Sequence, residues 1–284
     1  MSHHKEPQGF VTFAQNTSTV DYLRLAYVQA MNVKLTQKIN SYAVIVDQQT
    51  AEHITDKHRQ VFDYVIVLTE DYSSADARFA NEWQVFQLTP FKETVKLESD
   101  LLFTRSIDHW WDTFRLRDVV LSSGCKNYLS EQSSSRLYRQ FFDDNELPDV
   151  YNGLMYFRYS QHAAAFFTKA RTVFENWQVL KDQALKNCRE ETPSTDVLYA
   201  ITSMLTNQEY STLPSADFIN FTHMKSGLNG WSDNSSWFES VIAEQDADMI
   251  RINNLNQYAP VHYFAKDYVT DEMVKEYEFR SGIN

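Results

Sequence analysis

Cysteine is almost missing from this chain. Cys125 and Cys188 are the only two in 284 residues, too few for a disulfide framework, and a reducing, cytoplasmic setting is expected. Long apolar runs are missing too. None approaches the ~20 residues that span a bilayer, so no membrane partner is expected, and the opening residues carry no signal-peptide core. Met1-Ser2-His3-His4-Lys5 is assigned no role. Positive charge is in short supply: 26 Lys and Arg stand against 38 Asp and Glu, a net charge of −12. That balance argues against a broadly basic nucleic-acid binder, although a local basic groove is compatible with it. No internal repeat, low-complexity tract or clear linker is visible, and a single domain over residues 1–284 is expected.

What is present is a globular composition, 43% hydrophobic and 14% aromatic, in a chain long enough to bury a sizeable core. Gly9 to Ala14 reads as a first strand. A helix follows with Leu23, Ala26, Tyr27, Ala30, Met31 and Leu35 at helical spacing and Ser18 or Thr19 as its N-cap. Tyr42 to Asp47 and Tyr64 to Leu68 read as further strands, Asn81 to Thr89 as a short helix stopped by Pro90, and Thr94 to Leu97 as a strand. Later strands are expected over Asp118 to Ser123, Val150 to Phe157, Met249 to Ile252 and Pro260 to Phe264. Helices are expected over His162 to Trp177, Asp196 to Thr206 and Asp271 to Phe279. Ser130 to Ser135 reads as a polar loop or helix start, and Asp217 to Trp237 as a long functional loop. Strands alternating with helices imply an α/β fold with a mostly parallel central sheet flanked by helices, whose ligands bind at the carboxyl ends of the strands.

The chemistry-bearing step is Lys96-Leu97-Glu98-Ser99-Asp100-Leu101-Leu102. On extended backbone, residues i and i+2 face the same side, so Glu98 and Asp100 can offer two carboxylates to one ion. Hard divalent cations such as Mg²⁺ or Mn²⁺ take such ligands together with substrate phosphates. A turn with two solvated acids is the plainer alternative. Asn16 and Asp47 also fall just past strand ends, where the fold would gather a site.

These residues resemble the nucleotide-diphospho-sugar glycosyltransferases of the GT-A fold, especially the glycogenin-like group, over roughly residues 9–266. The likeness is carried by Phe13-Ala14-Gln15-Asn16 through Tyr22, by Trp83-x4-Leu88-x2-Phe91-Lys92, by Glu98-Ser99-Asp100 in place of D-x-D, by Tyr151-Asn152-Gly153, by Ser194-Thr195-Asp196 and by Val261-His262-Tyr263-Phe264-Ala265-Lys266. The family's Gly and Lys-Pro-Trp after the late His are absent. The resemblance implies a Rossmann-like domain with a nucleotide-sugar-binding half over 9–103 and an acceptor-binding half over 104–284. It implies Mn²⁺ or Mg²⁺ as cofactor and a UDP-sugar as donor substrate. It makes Glu98, Asp100 and His262 metal ligands, with His223 the competitor for the third place. Phe13, Gln15, Asn16, Tyr22, Arg78, Glu98 and Lys266 become donor-binding residues, and Asn152 and Asp196 are set beside the transferred sugar, with Asp149 a weaker acceptor base. His223, Lys225 and Trp231, with Trp237 near them, are candidates to grip the acceptor or close over the donor. Each has a plainer alternative: a satisfied core histidine, a solvated lysine, half-buried loop aromatics, and for Asp196 a helix cap.

The chain is also similar to glycosyltransferases carried by large tailed phages of the T-even type, some of which add glucose or arabinose to 5-hydroxymethylcytosine in DNA. The implied reaction is sugar transfer to a hydroxyl, retaining if the glycogenin likeness is faithful. The acceptor stays open between modified DNA, a glycan and a protein. Two rivals stand beside it. A nucleotidyltransferase of the same fold is expected to carry a Gly-rich basic loop after the first strand, and Gln15-Asn16-Thr17-Ser18 has no Gly, Lys or Arg. A non-catalytic carbohydrate- or nucleic-acid-binding module with a decayed site is kept alive by Glu98 and by the missing Gly and Lys-Pro-Trp.

Overall fold

Near-continuous apolar runs become strands here because both faces of the sheet are covered. A computed structural model describes residues 5–74, 77–123, 125–133, 136–207, 212–214, 220–224, 243–246, 248–263 and 265–283. In chain order the strands are β1 (Glu6–Ala14), β2 (Tyr42–Val46), β3 (Tyr64–Val67), β4 (Phe91–Leu97), β5 (Leu101–Leu102), β6 (Val119–Ser123), β7 (Cys125–Lys126) and β8 (Gln132–Ser133). They continue with β9 (Val150–Arg158), β10 (Thr212–Pro214), β11 (Thr222–His223), β12 (Ala243–Asp246), β13 (Met249–Ile252), β14 (Leu255–Gln257) and β15 (Val261–His262).

The main sheet runs β10-β6-β9-β4-β1-β2-β3. β1 pairs in parallel with β2 and β4, β2 with β3, and β10 with β6. Only β9 runs against its neighbours β4 and β6. The fold is therefore α/β with a mostly parallel central sheet. From β1 the strand order grows one way to β2 and β3 and then turns back to β4, so the carboxyl ends of β1 and β4 meet at a switch point.

Alternation along β1 and β2 divides the core. Phe10, Ala14, Tyr42, Val44 and Val46 face the helix Tyr22–Thr36, while Val11, Phe13, Ala43 and Ile45 face the helices Gln161–Glu175 and Thr195–Leu205. The helix Tyr22–Thr36 is enclosed over most of its surface, from Leu23 to Val33, with the C-terminal helix Asp271–Arg280 against it.

Several boundaries differ from expectation. Asp21, not Ser18 or Thr19, caps the first helix, its Oδ1 accepting from the Arg24 N–H at 3.0 Å. Ser18 and Thr19 lie instead in a turn closed by Thr17, whose Oγ1 accepts from Val20 N–H at 2.9 Å. The segment before Pro90 begins as a 3₁₀ turn, Arg78–Gln84, and becomes α-helical only at Val85–Leu88. The helix expected to reach Trp177 ends at Glu175, and a second, Trp177–Gln183, starts after Asn176, whose side chain accepts no cap hydrogen bond but donates to the Thr172 carbonyl. Within Ser130 to Ser135, Gln132–Ser133 pairs with β7. Most of Asp217 to Trp237 lies outside the described residues.

Two small sheets complete the architecture. β12, β13 and β14 form an antiparallel meander. The other, in the order β5-β15-β11-β7-β8, joins segments from across the whole sequence. No helix among the described residues is long and apolar enough to cross a membrane.

Candidate active site

Two turns of chain bring the acids and the late histidine together. Just past β4 the backbone turns at Glu98 to Asp100 and re-enters extended structure as β5. β5 pairs antiparallel with β15, placing His262 opposite Leu101, and the Tyr263 N–H donates to the Asp100 carbonyl at 3.1 Å. His262 Nε2 then lies 3.1 Å from Glu98 Oε2 and 3.1 Å from Asp100 Oδ2. One ligand atom from each of the three residues falls within 4.8 Å of the others. Lys266, in the next turn, forms an ion pair with Asp100 Oδ2.

The electrostatics follow from this packing. Burial works against the Asp100 charge, but His262 and Lys266 outweigh it and hold the carboxyl well below the usual range. Burial likewise disfavours the His262 imidazolium; Asp100 and then Glu98 reverse that and raise its pKa above the ordinary histidine value. Lys266 is raised in the same way, the Asp100 carboxylate overcoming its desolvation. Two carboxylate oxygens with one imidazole nitrogen form a donor set that suits Mn²⁺, which accepts nitrogen more readily than Mg²⁺ does. The residues present therefore fit a divalent cation.

The triad stands in a cavity of about 410 Å³ at the carboxyl edge of the sheet. Of the residues singled out in the sequence, Phe13, Gln15, Tyr22, Arg78, Glu98, Asp100, Asn152, Asp196, His223, His262 and Lys266 line it. β11 lies in parallel register with β15, so His223 is the direct neighbour of His262 and their rings sit 4.5 Å apart. Gln15 joins a polar network at the far end: its Oε1 accepts from Asn81 Nδ2 at 3.0 Å, and its Nε2 donates to Ser73 Oγ at 3.2 Å. Arg78 Nη1 reaches Ser73 Oγ at 3.3 Å and lies 3.5 Å from Asp47 Oδ2.

Two expected residues are not among the cavity's lining. Asn16 turns its side chain to the first helix, where Oδ1 accepts from Leu23 N–H at 2.9 Å. Asp149 lies 3.9 Å from Arg139 Nε, away from the cavity lining. Lys225, Trp231 and Trp237 lie outside the described residues.

Other residues here had no motif to announce them. Gln29 and Asn32, on the first helix, clamp the turn that carries the acids. Gln29 Nε2 donates to the carbonyls of Glu98 and Leu101, both at 2.6 Å, and its Oε1 accepts from Tyr42 OH at 2.6 Å. Asn32 donates to the Phe103 carbonyl at 2.9 Å and accepts from the Phe103 N–H at 2.7 Å. Arg139, buried against the Tyr151 ring at 3.4 Å, donates to the Val150 carbonyl at 2.6 Å and to Asp196 Oδ2 at 3.3 Å. The second Asp196 oxygen accepts from the Asn152 N–H at 2.7 Å. On the cavity floor, Glu82 forms a buried ion pair with Lys96 of β4. The signal available in the sequence was Gln29 and Asn32 at helical spacing with Leu25 and Val28, positions that periodicity assigns to the interior; Lys96 alternates with Val95 and Leu97, which reads as an outward residue, so its burial left no signal.

No protein-family model matches the chain, and no curated protein sequence matches it. Solved structures similar to it in fold include mouse xyloside xylosyltransferase 1 in its apo form, at TM-score 0.49 and 11% identity, over 78% of this chain and 88% of that one. The apo WbbM bifunctional glycosyltransferase follows at TM-score 0.47 and 10% identity, over 83% of this chain and 42% of that one. The glycosyltransferase GlyE of Streptococcus pneumoniae TIGR4 gives TM-score 0.44 and 14% identity, over 73% and 45%. This chain thus spans less than half the length of the latter two, and all three carry glycosyltransferase names.

Proposed function

We propose that this chain is a metal-dependent glycosyltransferase that moves a sugar from a UDP-sugar to a hydroxyl. The observation that carries the reading is the Glu98, Asp100 and His262 cluster, its ligand atoms within 4.8 Å, in a cavity at the carboxyl edge of a mostly parallel sheet. These three residues would hold Mn²⁺ or Mg²⁺, and a bound ion there supplies positive charge to the oxygens of a diphosphate leaving group. Lys266 adds a second positive group beside the acids, and Arg78, at the Ser73 end of the cavity, adds a third. Tyr22 and Phe13 offer aromatic surface, and Gln15 an amide, to the nucleoside. Asp196 is held on two sides by Arg139 and the Asn152 N–H, which suits fixed positioning beside the anomeric carbon.

The finer parts of the reading, a retained anomeric configuration and an acceptor of 5-hydroxymethylcytosine in DNA receiving glucose or arabinose, rest on the motif resemblance alone. The test is UDP release and sugar transfer with Mn²⁺ or Mg²⁺, screening UDP-sugars against plain and 5-hydroxymethylcytosine DNA, with a chelator control. Metal-dependent release that rises only with the modified DNA is the expected result. Release indifferent to DNA would move the acceptor to a glycan or protein, and release from no donor would leave a non-catalytic binding module. Asp100→Ala is expected to lower metal-dependent turnover ~10²-fold or more; full activity in that variant would remove the site assignment.

A further inference from the structure

Lys96 is an improbable residue for its place. It stands on β4, fully enclosed between β1 and β9, and among the described residues its ammonium meets one carboxylate, that of Glu82. A buried ion pair is weak evidence for stability, because well-packed apolar side chains of similar volume do as well or better. The pair does something else: it fixes a carboxylate in the cavity floor. Glu82 lines the cavity, and its Oε2 accepts from both Lys96 Nζ and Asn152 Nδ2, the latter at 2.8 Å.

That second contact settles which way the Asn152 amide points. A carboxylate can only accept, so the amide nitrogen must face Glu82 and the amide oxygen must face away. Asn152 Oδ1 is buried and receives no hydrogen bond among the described residues, although Asn152 lines the cavity. Glu82 Oε1 likewise makes no hydrogen bond among the described residues. Glu82 Oε1 is thus the acceptor that the floor offers to the cavity, which Lys266 and Arg78 also line.

We infer that Glu82, held by Lys96, is a specificity-determining residue that accepts hydrogen bonds from the hydroxyls of a neutral sugar and rejects sugars bearing a carboxylate. A fixed carboxylate acceptor matches a hydroxyl donor. A uronate would bring its own acceptor-only anion against a fixed carboxylate, leaving both unpaired. The inference rests on the nucleotide-sugar reading above and deepens it from a cavity for any UDP-sugar to one for neutral, hydroxyl-rich sugars.

Calorimetric titration with Mn²⁺ present tests it, comparing UDP, UDP-glucose, UDP-galactose and UDP-glucuronate on the unaltered protein, on Glu82→Gln and on the Glu82→Gln/Lys96→Met double variant. The unaltered protein is expected to bind at least one neutral UDP-sugar about tenfold more tightly than UDP, the increment of one charge-assisted hydrogen bond, and UDP-glucuronate no more tightly than UDP. Glu82→Gln should keep its UDP affinity and lose the neutral-sugar increment. It should also gain affinity for UDP-glucuronate, because Lys96 then lacks its counter-ion. The double variant removes that buried charge, so it guards against a folding defect; it should lose the neutral increment without the uronate gain. An unchanged increment in both variants, with UDP binding intact, overturns the role of Glu82 and leaves the donor reading standing. A uronate preference in the unaltered protein does the same. Failure of the unaltered protein to bind UDP or any UDP-sugar removes both.

Discussion

Gln29 uses both ends of its amide inside the protein. Its two donated hydrogen bonds satisfy the carbonyls on either side of the acidic turn, and its oxygen takes the Tyr42 hydroxyl. Replacing it with Leu, similar in size, would leave those carbonyls buried without donors, a cost of about 1–3 kcal/mol. The turn would also lose the anchor that sets the Glu98 and Asp100 directions. Gln29→Leu is therefore expected to lower Mn²⁺ affinity by ~10-fold or more, as loss of an outer partner does at other metal sites. Urea unfolding and a Mn²⁺ titration check the two parts separately, and native metal affinity in a folded variant would contradict the clamp. Lys96 makes a matching case in stability alone. Lys96→Met strands the Glu82 carboxylate, whose side chain is 11% exposed, and should cost about 3–5 kcal/mol. Adding Glu82→Gln to it should recover part of that loss in the same unfolding measurement.

Among the elements, β1 and β4 meet at a place where a side chain is missing by necessity. Gly9 pairs with Thr94, and a Cβ built on it would lie 2.4–2.6 Å from three ring carbons of the buried Phe91. The ring is wedged among core residues, so Gly9→Ala is expected to overpack this joint and cost ~1–3 kcal/mol, read as a lower midpoint in urea. Gly9→Ala with Phe91→Leu should relieve it. Elements of this kind were legible to different degrees. β1 and β2 could be read from sequence because parallel strands covered on both faces become unbroken apolar runs, and β3, at the half-buried edge of the sheet, because it is a run of apolar residues. The first helix was legible from its period, but its start was not: Ser18, Thr19 and Asp21 are all good caps, and only the Thr17 turn decides among them. β5, β11 and β15 are two residues each. β15 falls within the strand expected over Pro260 to Phe264, whereas β5 and β11 have no period to detect and exist because of partners distant in sequence.

At the scale of the whole molecule, the three candidate ligands come from the end of β4 and from β15, so an ion held there would tie the sheet's centre to the later part of the chain. The acidic step could be read from two residues and their place after a strand. The way His262 reaches it depends on the pairing of β5 with β15, and the floor formed by Glu82, Lys96 and Asn152 joins a 3₁₀ turn to two strands. Neither juxtaposition leaves a local trace. Binding to the folded state alone makes a stability prediction. At a Mn²⁺ concentration ~100 times its Kd, the protein should gain about 2.7 kcal/mol, a rise in Tm of about 5–10 °C, reversed by chelator. His262→Ala should lose most of that rise, and an equal rise in the variant would show that the ion binds elsewhere.

The same pairing sets a timetable for the molecule as it is made. Asp100 and Lys266 are 166 positions apart, so the acidic turn leaves the ribosome long before the imidazole and ammonium that complete it. Until those residues are made, the two carboxylates lack the partners they have in the fold. A copy that stops short of β15 then has a nearly whole main sheet and an inert centre. The cluster is completed only when β15 docks beside β5.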